Sequence, residues 1–238
     1  MCTREMTLGE EIINLVGNGI DVPTVERMYR KYINLSANEE SNQACREYCK
    51  VDIEALTSVF NTMFSNEISV GDQIEIPLGN LGIFTATAQK ITDDKILFIF
   101  DDYVTTRPMN ENDSNDGGYD ESDLKKWIDT ELYKMFPEAL RKRMSGLTIP
   151  TVGEICGWDD EWDRNHFEQD GDEQLPLMKQ RRNRVAYYNN ECECGWLRNR
   201  MKKRFSSTGF ASVGTNGGSN YPSASNFYGV RPEFWLVK

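Results

Sequence analysis

Residues 206–238 read SSTGFASVGTNGGSNYPSASNFYGVRPEFWLVK. The stretch divides sharply in two. Small polar residues crowd positions 206–226, and then the chain turns apolar and ends on VRPEFWLV. From 199 to 228, sixteen of thirty residues are Ser, Gly, Asn or Thr, and they alternate with residues suited to a frame: Phe205, Phe210, Val213 and Ala224. The polar half reads as a surface, and the apolar half as a core strand that holds it. Gly217-Gly218 is suited to a loop that reverses through positive φ.

Working back from this segment, the residues after Pro150 read as short strands joined by polar loops. WDDEWDRNHFEQDGDEQ is acidic and loop-like, and KQRRNR is basic. Before them, YDESDLKKWIDTELYKMFPEALRKRM has a helical period. Ser122 is its N-cap, and Leu124, Trp127, Ile128 and Leu132 form its buried side. Pro137 breaks that helix, and a short second helix is expected to reach Met144. Asn110 to Gly118 reads as an acidic, glycine-ended loop.

From residue 68 the period is two, and at least three strands are expected, with turns at Gly71-Asp72, Gly79-Asn80 and Asp93-Asp94. Residues 7–64 instead have helical periodicity. Leu8, Ile12, Ile13 and Val16 share a face that ends at Gly17-Asn18-Gly19, and Val25, Met28, Tyr29, Tyr32 and Ile33 continue the period after Pro23. A third helical stretch covers roughly 41–64. No tandem repeat is present.

The chain has 238 residues, of which 39% are hydrophobic and 11% aromatic, enough for one sizeable core with an appendage. Its net charge of −11 opposes general nucleic-acid binding, which needs a basic footprint. No apolar run approaches the roughly 20 residues of a bilayer span. The acidic start, MCTREMTLGEEIINL, lacks the order of a signal peptide, so synthesis in the cytoplasm without membrane insertion is expected. Six scattered cysteines are too few for a disulfide framework and read as reduced thiols.

YDESDLKKWID, TVGEICGW, QRRNRV, WLR and GVRPEFWL occur in that order. This set resembles a family of bacterial and phage proteins with a C-type-lectin-like domain, often ending in WLR … GVRPxFWL. Some of these are similar to the variable proteins of diversity-generating retroelements. The resemblance covers about 68–238. It implies an α+β fold with small antiparallel sheets and long loops, here preceded by short helices in 1–65 that serve assembly or attachment.

In the retroelement-linked members, reverse transcription errs at template adenines, and the varied positions lie on a ligand-binding face near the C-terminus. Carried onto this chain, the face spans about 199–228. It comprises Asn199, Arg200, Met201, Lys202, Lys203 and Arg204, then Ser206, Ser207, Ala211, Gly214 and Asn216, then Ser219, Asn220, Tyr221, Ser223 and Phe227. Lys202 and Lys203 cannot come from AAY codons, so they require AAR-type template codons or are not varied.

Trp196, Phe210, Val213, Val230, Phe234 and Trp235 would hold the backbone beneath these positions. Asn, Ser and Tyr adapt their hydrogen bonding, and Tyr adds contact area at low entropic cost. Residues 199–228 carry no acid but four basic side chains, a local basic spot suited to an acidic partner. The implied partner is a protein or glycan surface ligand, met by a homo-oligomer on a phage, hence virion-associated, or on a cell-surface structure.

Rival chemistries on the same fold are a formylglycine-generating-like enzyme, which depends on reactive cysteines, and a calcium-dependent lectin. Cys156, His166, Cys192 and Cys194 match no standard zinc spacing. His166, the one histidine, reads as exposed in an acidic loop. Asp159, Asp160, Asp163, Asp170 and Asp172 are possible calcium ligands, but the EPN/QPD and WND sugar-site motifs are absent. GxSxG, GxxxxGK[ST] and GxGxxG are also absent, and GNGIDVP at 17–23 lacks the strand and spacing of a phosphate loop. No catalytic residue, metal or cofactor is assigned.

Overall fold

A computed structural model of the protein describes residues 68–238. The helical reading of 7–64 and the assembly role of 1–65 lie outside the described residues.

The period-two segment forms three antiparallel strands in succession: β1 (Gln73–Pro77), β2 (Ile83–Ile91) and β3 (Lys95–Phe100). In β1 the buried Ile74 and Ile76 alternate with more exposed neighbours. After Lys95, the ILFIF run of β3 is apolar throughout because both its faces are covered. Ile96, Phe98 and Phe100 enter one core, while Leu97 and Ile99 enter a second. An unbroken apolar run of this length is what a doubly buried strand requires.

Ser122 caps helix α1 as expected, its hydroxyl accepting from the Lys125 amide at 3.0 Å. The helix runs as Asp123–Trp127, a π-helical turn Ile128–Leu132, and Tyr133–Met135. Leu124, Ile128 and Leu132 are buried, and Trp127 is half-buried. Phe136 is extended ahead of Pro137, which fits the steric restriction on a residue before proline. The next helix, α2, is shorter than expected, Glu138–Arg141. Met144 instead begins strand β5 (Met144–Thr148), where it pairs with Leu236.

That partner belongs to β12 (Glu233–Val237), the apolar end of the chain. β12 lies between β3 and β5 in a five-stranded sheet of order β1-β2-β3-β12-β5. Phe234 sits opposite Phe98 with the rings stacked at 5.7 Å, and Phe100 and Phe136 complete the cluster. Trp235, placed in the frame by sequence, is only half-buried, because alternation along β12 turns it away from Phe234 and Leu236.

The second sheet contains β4 (Thr105–Arg107), β8 (Gly195–Arg200), β9 (Phe210–Val213), β10 (Ser219–Asn220) and β11 (Tyr228–Val230), in the order β10-β9-β8-β11-β4. It is not wholly antiparallel as expected, since β8 and β11 meet in parallel at Gly195 and Gly229. Trp196 is buried and its Nε1 donates to the Arg107 carbonyl at 2.7 Å. A separate hairpin pairs β6 (Ala186–Tyr188) with β7 (Glu191–Glu193) through Asn189 and Asn190, both at positive φ.

Arg231 stands where the chain leaves β11 for β12. It is buried, and its Nε donates to the Phe100 carbonyl at 2.5 Å while its Nη groups lie 3.4 Å from the carbonyls of Asn183 and Arg184. The arginine of GVRP thus fastens the crossover between sheets to the QRRNR segment. The described residues form an α+β unit of small sheets and few short helices.

Candidate binding face

Three of the quoted sequence segments converge on one ionic group, in which Glu233 is buried and Glu154 and Arg198 are half-buried. Thr151 and Glu154 form a capping box on the short helix α3 (Val152–Ile155). The remaining capacity of the Glu154 carboxylate is directed at Arg198 of WLR, whose Nη2 lies 3.1 Å from Glu154 Oε2 and 3.1 Å from Glu233 Oε1 of RPEFW. Burial, and then the neighbouring Glu154, push the Glu233 carboxyl well above the usual carboxylate range. Burial pulls the Arg198 guanidinium down, but the charges of Glu233 and Glu154 outweigh it, and the net shift is upward. This group ties TVGEICGW, WLR and GVRPEFW together.

Three residues assigned by sequence to the binding face belong to this frame. Asn199 is buried. Its Oδ1 accepts from the Val152 amide at 2.6 Å, and its Nδ2 donates to the Glu168 carbonyl and to Asp170 Oδ2 at 2.9 and 2.7 Å. Met201 packs in the second core and bridges to Phe167, and Ala211 is fully buried in β9. A side chain aimed inward cannot meet a ligand, so these three positions are corrected to scaffold.

The other thirteen are accessible. Lys203, Arg204, Ser207, Asn216, Asn220, Tyr221 and Phe227 are exposed, and Arg200, Lys202, Ser206, Gly214, Ser219 and Ser223 are half-buried. Four of them, Lys202, Arg204, Ser219 and Tyr221, contact helix α4 (Glu161–His166), which lies in the segment expected to be a loop. Asp160 caps this helix, its Oδ1 accepting from the Trp162 amide at 2.7 Å. Acids in its first turn and Arg164 and His166 in its last suit the helix dipole.

Lys202 closes the far end. Its backbone amide donates to the His166 carbonyl at 2.8 Å, and its Nζ to the carbonyls of Arg164 and Asn165. Ser219 Oγ donates to the buried Asp163 at 2.7 Å. Burial raises that carboxyl, and the serine hydrogen bond opposes the rise.

An aromatic ladder results. Trp162 and His166, four residues apart on one helix face, stack at 4.0 Å with 12° between their planes. Tyr221 lies 5.0 Å from Trp162, Phe205 lies 4.1 Å from His166, and the Arg204 guanidinium sits 4.7 Å over Phe205. His166 is therefore half-buried rather than exposed. Phe205, expected in the frame, is exposed because a turn from Lys202 swings it outward onto His166. Trp162, Phe205 and Tyr221 are 38%, 45% and 52% exposed, so three large apolar side chains share one open patch instead of standing singly.

The acidic loop grips the other side of this segment. Asn115 is buried, with Nδ2 within hydrogen-bond distance of the carbonyls of Met201, Ser206 and Gly209, and its backbone amide donates to Ser207 O. Asp116 pairs with Lys203 at 2.5 Å, and that hydrogen bond, followed by the charge, lowers its carboxyl. Arg200 pairs with Glu168 at 2.7 Å. The basic spot read from sequence is thus partly neutralised by acids brought in from elsewhere in the chain. Gly214 and Asn216 stand apart in the β9–β10 turn, where Arg181 Nε donates to Asn216 O at 2.8 Å and Gly217, though not Gly218, takes positive φ. Phe227, 72% exposed, sits just before β11.

Cys192 is exposed with its thiol 3.6 Å from the Thr215 carbonyl, whereas burial pushes the Cys156 thiol up to about 11. Among the described residues no three His, Cys, Asp or Glu side chains are grouped to hold a metal ion. Four of the five candidate calcium acids accept from protein donors. Asp160 caps α4, Asp163 accepts from Ser219, Asp170 from Trp158 and Asn199, and Asp172 from Thr151.

A family model described as a domain of unknown function (DUF6273) matches residues 93–238. This is more than half of the chain, and the protein belongs to that family. The match begins at the bend before β3, so β1 and β2, which extend the first sheet from β3, precede it. No curated protein and no solved structure matches the chain.

Proposed function

We propose that this protein is a ligand-binding protein that recognises a surface ligand through the face built by α4 and the 200–227 segment, on a C-type-lectin-like fold. In this reading it is a variable protein of a diversity-generating retroelement. The observation that carries it is the ladder Tyr221–Trp162–His166–Phe205, an exposed aromatic patch ringed by small polar side chains and set on a closely bonded frame. Aromatic anchors beside adaptable Ser and Asn match the composition of evolved paratopes. The edges of mutually stacked rings suit a protein ligand, and residues 1–65 assemble several copies for multivalent contact on a phage or cell surface.

A display library tests this. Randomising Lys203, Arg204, Ser207, Asn220 and Tyr221 is expected to leave most clones folded and to yield binders when panned on lysozyme as an arbitrary protein target. The same library design at Asn199, Met201 and Ala211 is expected to yield few folded clones. Equal folded fractions in the two libraries, or no binders from the first, would contradict the reading.

A further inference from the structure

The basic KQRRNR segment has a bonded part and a free part. It runs through two 3-10 turns, Pro176–Lys179 and Arg181–Arg184. Asn183 and Arg184 are half-buried and tie these turns down. Asn183 Nδ2 donates to the Leu177 carbonyl at 2.9 Å, Arg184 Nε to the Met178 carbonyl at 2.7 Å, and Arg184 Nη1 to the Gly217 carbonyl at 3.3 Å. Lys179, Arg181 and Arg182 are exposed. Arg181 is held against the β9–β10 turn through its Nε, and a Cβ on Gly218 would come within 2.7 Å of its Nη2, so the glycine leaves it room. Its Nη groups, and the side chains of Lys179 and Arg182, make no hydrogen bond or ion pair among the described residues. Lys126, Lys134, Lys142 and Lys203, by contrast, each pair with an acid. Residues 174–190 and 199–228, which meet here, contain no Asp or Glu. A chain of net charge −11 thus carries three exposed cations without an acid partner among the described residues, on a firmly bonded turn.

We propose that this strip docks an acidic polypeptide segment, a short run of Asp or Glu side chains on a partner protein. Arg181 and Arg182 offer planar forks of donors that match carboxylate geometry, and Lys179 adds a point charge. The turns are already bonded in place, so docking orders little backbone. The short reach of the strip selects a peptide over a nucleic acid. A duplex carries one charge per roughly 1.7 Å of its axis and runs on past three cations, where the net negative charge of the chain repels it. The strip shares no residue with the ladder and stands independently of the ligand reading, so either can fail without the other.

Fluorescence anisotropy of a labelled octaglutamate peptide, titrated with the full chain at low salt, tests it. Binding is expected with a Kd on the order of 10 μM, weakening as salt is added. Lys179→Glu combined with Arg182→Glu reverses two exposed charges that hold nothing in the described fold, and is expected to weaken binding at least about tenfold. Lys126→Glu combined with Lys134→Glu makes the same change in net charge on helix α1, away from the strip, and is expected to leave binding within about threefold. Labelled octathymidylate is the rival polyanion and is expected to bind more weakly than the peptide. No binding of octaglutamate, equal losses in the two double variants, or tighter binding of octathymidylate would overturn the proposal.

Discussion

Gly195 of β8 and Gly229 of β11 are partners across the one parallel contact of the second sheet, and both lie against the ring of Tyr103. A Cβ on Gly195 would come within 2.2 Å of that ring, and one on Gly229 within 2.3 Å. Tyr103 is buried and has no room to withdraw, its hydroxyl reaching the Glu193 carbonyl at 3.4 Å. These are the glycines that precede WLR and VRP, so the ring accounts for both.

Gly195→Ala and Gly229→Ala are each expected to cost at least about 1–3 kcal/mol, the usual penalty for overpacking a filled core. Denaturant unfolding measures this. In Tyr103→Ala the glycine substitutions should cost much less, because the clash is gone. Additive costs in the double variants would show that the ring is not the cause.

Trp196→Ala is expected to lose about 3–5 kcal/mol, since it removes a fully buried indole and leaves the Arg107 carbonyl unpaired. Ser207→Ala, Asn220→Ala and Phe227→Ala, at exposed positions, should each stay within about 0.5 kcal/mol. Thermal melts compare the two sets, and equal losses would erase the division between frame and face.

That division was only partly legible in the sequence. Strand β3, the Ser122 cap and the closing strand announced themselves through period, capping residue and apolar run. Asn199, Met201 and Ala211 did not, because the inward or outward direction of a residue near the Trp196–Arg200 irregularity depends on a register shift that no local pattern records. Helix α4 carried a readable signal, Asp160 as cap with acids at its start and Arg164 and His166 at its end, masked by the surrounding acidic loop. The ladder was not legible at all. It joins Trp162, Phe205 and Tyr221 across tens of residues, and only the folded chain brings them together.

The Glu233 carboxyl predicts a pH signature. Its folded-state pKa is raised, so the native state holds its proton more tightly than the unfolded chain. Its contribution to stability is full below the ordinary carboxylate pKa and is lost as pH rises through the folded value. Melting temperatures of the native protein and of Glu233→Gln, taken from acid to neutral pH, should diverge. Relative to the variant, the native protein should lose stability as pH rises. A constant difference across the range, or one of opposite sign, would contradict the assignment.

A chain beginning at Ser69 retains every strand described above and is expected to fold. If residues 1–65 assemble the protein, this shorter chain will show a drop in light-scattering mass well beyond that of the deleted residues. Full-length protein that is monomeric at micromolar concentration would remove the assembly role.

A varied face on a fixed frame would leave its record in the DNA that flanks the 3′ end of the coding region, and sequencing reads it. A nearby near-copy of that end is expected, adjacent to a reverse transcriptase gene and differing from it only where the copy carries adenine. Those differences should fall in codons of outward residues such as Lys203, Ser207, Asn220 and Tyr221, and spare Trp196, Asn199, Met201, Phe210 and Ala211. The absence of any such copy, or differences concentrated in the buried codons, would contradict it.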